Sequence, residues 1–120
     1  FLFKAYFLDD LLVGFSTSFI NTTSFDANYV GLDYAYNEKF DIYQRILYDY
    51  VDEAIKARVT ELQFGRTSEL IKSAVGALPV DMTIYIKHKR SLSNLILKNV
   101  IQSVKPSTFE LRKPFKANFK

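Results

Sequence analysis

A mixed α/β (α+β) fold, a mainly antiparallel sheet with packed helices, is predicted by three features of this 120-residue chain. The first third alternates aromatic and aliphatic residues around short polar breaks, as strands do. Residues 41–57 repeat apolar side chains at helical spacing, and residues 60–104 then switch between short strand and helix patterns. Hydrophobic residues form 48 % of the chain and charged ones 24 %, a balance that supports one domain with a modest core. The chain has no cysteine and one histidine, which excludes disulfides, a thiolate nucleophile, cysteine-ligated metal and a histidine cluster. Apolar runs are too short to cross a bilayer, and no basic-apolar-small leader opens the sequence. A soluble, cytoplasmic product is the expectation.

Phe1 to Leu8 and Leu11 to Ile20 read as a hairpin around Asp9-Asp10. Asn21 to Asp26 is a polar connection, and 27–36 reads as a third strand, with Gly14 and Gly31 marking a bulge or a close approach. Asp41 to Ala57 is the clearest helix: Ile42, Tyr43, Ile46, Leu47, Tyr50, Val51, Ala54 and Ile55 share a face. Asp41 and Gln44 have the form of a capping box. Asp49, Asp52, Glu53 and Lys56 lie opposite and read as a solvated face.

Thr60 to Phe64 is a short strand, and 67–75 a short helix with Thr67 or Ser68 as cap and Gly76 as its stop. Val80, Met82, Ile84, Ile86 and His88 alternate with polar or aromatic neighbours and predict a half-buried strand ending at His88, a strand-end residue rather than a catalytic base. Ser91 caps a last helix through about Val104, stopped by Pro106, whose apolar arc is broad enough to require burial or a partner. Phe109 to Lys120 reads as a strand or an extended basic tail.

Charge is unevenly placed. Residues 1–86 carry seven basic and twelve acidic side chains, a balance of −5, whereas 87–120 carry nine and one, a balance of +8. Such a tail attracts phosphate-rich ligands, nucleic acid or an acidic membrane surface, but it has no sequence readout of its own. A solvated tail and a binding surface both fit it, and no specific nucleic-acid partner is expected.

The most informative stretch is Phe64-Gly65-Arg66-Thr67-Ser68-Glu69-Leu70-Ile71-Lys72-Ser73-Ala74-Val75-Gly76-Ala77. Together with the element order over residues 1–90, it resembles the C-terminal half of an acetyltransferase-fold (GNAT) N-acyltransferase, in particular the bacterial branch related to the Fem aminoacyl transferases. The resemblance implies a donor site where strands 27–36 and 60–64 splay apart. Leu32 and Tyr34 would line that opening, and Asn37, Glu38, Lys39, Phe40 and Asp41 would occupy the phosphate loop before the long helix. Arg66 and Thr67 would add anion contacts. Lys72 would stand where the family places its catalytic side chain, either holding a phosphate or developing oxyanion as a cation or, with a lowered pKa, acting as acid or base.

The loop lacks the family's arginine or glutamine followed by spaced glycines, and Glu38 and Asp41 repel phosphate. Acyl-CoA and aminoacyl-tRNA therefore both stand as donors. The expected reaction transfers an acyl group to an amine without a metal.

Residues 1–90 would then be an acetyltransferase-like core lacking the family's N-terminal strand and helices, and 91–120 an amphipathic helix and basic tail packed on the core or on a partner. Missing sheet neighbours leave an open edge, so a homodimer, or association with an absent N-terminal half, is expected. The competing class is a noncatalytic binding or assembly module on the same fold.

Overall fold

A computed structural model describes residues 1–103 and 109–115. Four strands, β1 (Leu2–Leu8), β2 (Leu11–Ile20), β3 (Ser24–Leu32) and β4 (Glu61–Gln63), form one mixed sheet in the order β1-β2-β3-β4. The first three are antiparallel neighbours, and β4 joins parallel to β3. Asp9 turns the first hairpin at φ 51°, a conformation that aspartate tolerates. The register shifts opposite Tyr6 and Phe7, where β2 carries the extra residue Val13, and again between Ser16 and Ser18, where β3 carries one extra residue. At the second, Thr17 Oγ1 accepts from the Tyr29 N–H at 2.9 Å and so satisfies a donor that the ladder leaves out.

The third strand begins and ends earlier than 27–36. Ser24 already pairs with Glu61, and the strand stops at Leu32. Residues 33–36 are not strand: Asp33 Oδ1 accepts from the Ala35 N–H at 3.0 Å and starts a helix, α1 (Tyr34–Phe40). Tyr36 and Phe40, four residues apart, stack with ring centroids 6.4 Å apart. A local cap and an i,i+4 aromatic pair thus override the strand tendency of the tyrosines.

The long helix α2 (Ile42–Lys56) lies across one face of the sheet. Ile42, Ile46, Leu47, Tyr50 and Ala54 are buried with Val13 and Phe25. Phe25, Ile46 and Leu47 are essentially fully buried, each stabilising the fold by about 1.5–3 kcal/mol. Three details of this helix correct the sequence expectation. Asp41 is not a capping-box residue: it sits at φ 50° and its side chain makes no cap bond, while Asn37 Oδ1 accepts from the Tyr43 N–H at 2.8 Å. Asp49 is not solvated: it is buried between Lys4 (3.3 Å) and Arg45 (3.1 Å), because edge strand β1 brings Lys4 over the helix. Ile55, assigned to the apolar face, is 71 % exposed.

The short helix is α3 (Glu69–Ala74), closed by Gly76 at φ 91° as expected. Ser68 occupies its cap position without a side-chain bond. The strand expected at 80–88 does not form. Its residues are exposed on both sides of the alternation, Tyr85 by 93 %, and no ladder includes them. Alternation needs a neighbouring strand to be realised, and β4 offers an edge only three residues long.

The last helix, α4 (Ser91–Ser103), has Ser91 as its first residue rather than its cap. Asn94 brackets the entry, accepting from the His88 N–H and donating to the His88 carbonyl at 2.7 Å. The helix packs closely on no strand or other helix among the described residues, and Leu92, Ile96 and Val100 of its apolar arc stay more than half exposed. Val104 and Pro106 lie outside the described residues. Residues 109–115 form no strand and return to α3, where the Arg112 N–H donates to Ser73 Oγ at 3.1 Å. The 116–120 part of the expected strand or tail lies outside the described residues. No helix among those described is long and apolar enough to cross a membrane.

Candidate functional site

The parallel pair β3–β4 is joined over only three positions, from Ser24–Glu61 to Asp26–Gln63. Beyond Gln63 the chain turns through Phe64 to Ser68 into α3, while β3 continues to Leu32 paired with β2. Among the described residues, the β3 edge beyond Asp26 therefore has no ladder partner on the β4 side. A fork of this kind leaves strand N–H and C=O groups free to meet an extended ligand. At its root Asp26 Oδ2 accepts from Asn21 Nδ2, whereas the buried Oδ1 has no hydrogen-bond partner among the described residues.

Lys72 is held at this turn. Its side chain folds back from α3, and Nζ donates to the carbonyls of Arg66 at 2.8 Å and Gly65 at 3.3 Å. Burial lowers the Lys72 pKa from its ordinary 10.5, with Glu69 opposing the shift. The turn it clasps is strained: Gly65, Thr67 and Ser68 all have positive φ, the last two without a glycine's freedom. Each such residue costs roughly 1–2 kcal/mol, and the ammonium offsets part of that by binding the carbonyls that the turn exposes. One Nζ–H remains for another acceptor. Arg66 and Thr67 are exposed beside it.

The other expected site residues lie at the far end of β3. From Ala27, opposite Gly65, to Leu32 the strand advances about 17 Å, so the structure collects the candidates in two places rather than one. Leu32 is half-buried against Gly14. Tyr34 is 79 % exposed at the start of α1. Lys39 lies over its neighbour Phe40 at 5.3 Å from the ring centroid. Asn37 and Asp41 form the α1–α2 junction, where the Asn37 side chain already occupies one of the free donors in the first turn of α2, the Tyr43 N–H.

A separate cleft of about 130 Å³ opens between β1 and α2, floored by Phe25 and Tyr50 and walled by Lys4, Tyr6, Ser16 and Asp49. Tyr6 shares a hydrogen bond with Ser16 Oγ at 3.3 Å, and desolvation holds its hydroxyl protonated well above the usual range. Tyr50 donates to the Thr17 carbonyl at 3.0 Å, and burial raises its pKa too. These groups can bind small polar ligands or water, but none is a nucleophile with an adjacent base. Sequence reasoning did not single out this group or Asp26. The only signals were an acidic residue on the long helix and a charged residue in an aromatic strand, neither of which has a partner until the sheet is assembled.

No protein-family model, curated protein or solved structure gives a significant match to the chain.

Proposed function

We propose that the chain is the donor-binding part of an N-acyltransferase-type domain, taking an acyl group from an activated donor, acyl-CoA or aminoacyl-tRNA, to an amine. The observation that carries this reading is the β3–β4 fork: two parallel strands that part after Asp26–Gln63, with a buried lysine holding the turn at the mouth. In the fork, peptide N–H groups of β3 polarise the acyl carbonyl. The remaining Lys72 N–H and the exposed Arg66 guanidinium meet the donor's phosphates or the developing oxyanion. The amine adds to the carbonyl carbon, the tetrahedral oxyanion collapses, and the thiolate or ribose oxygen leaves with a proton that originates on the amine. A nucleotide-borne donor implies the cytoplasm.

Calorimetric titration with CoA, acetyl-CoA, a longer acyl-CoA and an aminoacyl-tRNA tests the reading. Saturable binding of one donor, weakened roughly tenfold by Arg66→Ala, supports it. A folded chain that binds none of the four removes it.

A second reading, an assembly module, is favoured by one observation: the apolar arc of α4, including Leu92, Ile96 and Val100, stays exposed. Activity and assembly are compatible on one fold.

A further inference from the structure

The sheet has two faces, and α2 covers only one. Lys4 and Tyr6 point toward α2, so alternation sends Phe3 to the opposite face, where it stacks on Phe15 with ring centroids 5.9 Å apart. Phe1 and Phe19 pair beside them at 5.2 Å. The Phe15 ring lies over Gly31, where a Cβ would come within 2.2 Å of it. All four phenylalanines remain at least 36 % exposed. A sheet face of this composition needs a covering layer, and the same chain holds a helix, α4, that packs closely on no strand among the described residues.

We propose that α4 of one copy covers the aromatic face of β1 and β2 in a second copy, and that the exchange is reciprocal about a two-fold axis. Length fits, since 13 residues of helix span about 20 Å and the seven residues of β1 about 23 Å. Charge fits as well. Lys87, Lys89 and Arg90 are exposed just before α4, and Asp9 and Asp10 are exposed at the β1–β2 turn, one end of the aromatic face. A helix laid along β1 and β2 with its start at that turn sets three cations and the positive helix end against two carboxylates. The wider balance, −5 for residues 1–86 and +8 for 87–120, acts in the same direction.

The second copy, rather than the chain's own sheet, is indicated by the position of α4, which packs closely on none of its own strands among the described residues. Residue 77 leaves α3 and residues 109–115 come back to it, with the Phe115 ring against Gly76 and the Arg112 N–H on Ser73. Both roots follow β4, at the opposite edge of the sheet from β1. The radius of gyration is 18.1 Å, against about 14 Å for a compact chain of this length, and α4 stands off its own strands. Two exchanged contacts would remove on the order of 1,500 Å² from water, within the range of a stable dimer.

Sedimentation velocity on two variants tests the exchange. One carries Lys87→Glu, Lys89→Glu and Arg90→Glu; the other carries Asp9→Asn and Asp10→Lys. Wild type is expected to be dimeric at micromolar concentration. Each variant alone should dimerise at least roughly tenfold more weakly, and an equimolar mixture should recover the dimer, because each arm then meets a body of opposite charge. Leu92→Asp with Ile96→Asp, at exposed positions, should also give monomers with unchanged circular dichroism. A monomeric wild type, variants that dimerise like wild type, or a mixture no stronger than its components would each overturn the proposal. An intrachain contact would produce the last result. The outcome is independent of donor binding.

Discussion

Lys72 shows how a single residue can carry a structural task and remain eligible for a chemical one. Its ammonium ties the carbonyls of Gly65 and Arg66, so Lys72→Met should lower stability by about 1–2 kcal/mol in urea unfolding. Its pH signature has a definite sign. The folded pKa lies below 10.5, so between those two values the unfolded chain binds more protons, and this residue's contribution to stability rises with pH. Tyr6 and Tyr50 act oppositely. Their folded pKa values are raised, so above about pH 10 the unfolded chain ionises first and stability falls. Urea midpoints measured across the alkaline range should therefore drop above pH 10 in wild type and drop less in Tyr6→Phe. At Gly76 an alanine would place a methyl 2.2 Å from the Phe115 ring at φ 91°. Gly76→Ala should cost about 1–3 kcal/mol and release Phe115, which fluorinated phenylalanine at position 115 would report by NMR.

At the scale of elements, the α1–α2 junction departs most from the sequence reading. Asp41 followed by Gln44 has the letters of a capping box, yet Asn37, six residues before Tyr43, makes the bond. Asn37→Ala should cost about 1 kcal/mol, whereas Asp41→Gly, which removes a left-handed aspartate, should be neutral or stabilising. The opposite order in thermal melts would restore the capping box. In α2 the core contact is more demanding: Ile46→Ala, at a fully buried position, should cost about 2–4 kcal/mol. The helical pattern of 42–56 was legible because its burial is one-sided. The tyrosines of 34–36 misled because a cap at Asp33 decides between strand and helix, and composition does not encode that bond's geometry.

For the whole molecule, the core formed by α2 and the sheet is separated from an excursion that buries little of its apolar surface. Val80, Met82, Ile84, Leu92, Ile96 and Val100 all remain more than half exposed. Exposure of this extent in one contiguous segment is the surface that the proposed exchange would cover. If the exchange forms, salt should weaken it, because the Lys87, Lys89 and Arg90 contacts with Asp9 and Asp10 are near solvent. A dimer constant unchanged between low and high salt would leave the apolar contact as the only source of affinity.

The sequence alone determined the first hairpin, the long helix, the short strand before Gly65 and the glycine stop at 76, because each depends on local periodicity or on one residue's backbone freedom. It also determined the charge imbalance between the two parts of the chain. Tertiary structure decided that Asp49 meets Lys4, that β4 pairs in parallel over three residues, and that 80–88 remains unpaired. Those outcomes depend on which groups meet across the sheet: a buried charge needs a partner from another element, and a strand needs a neighbour before its alternation has any consequence.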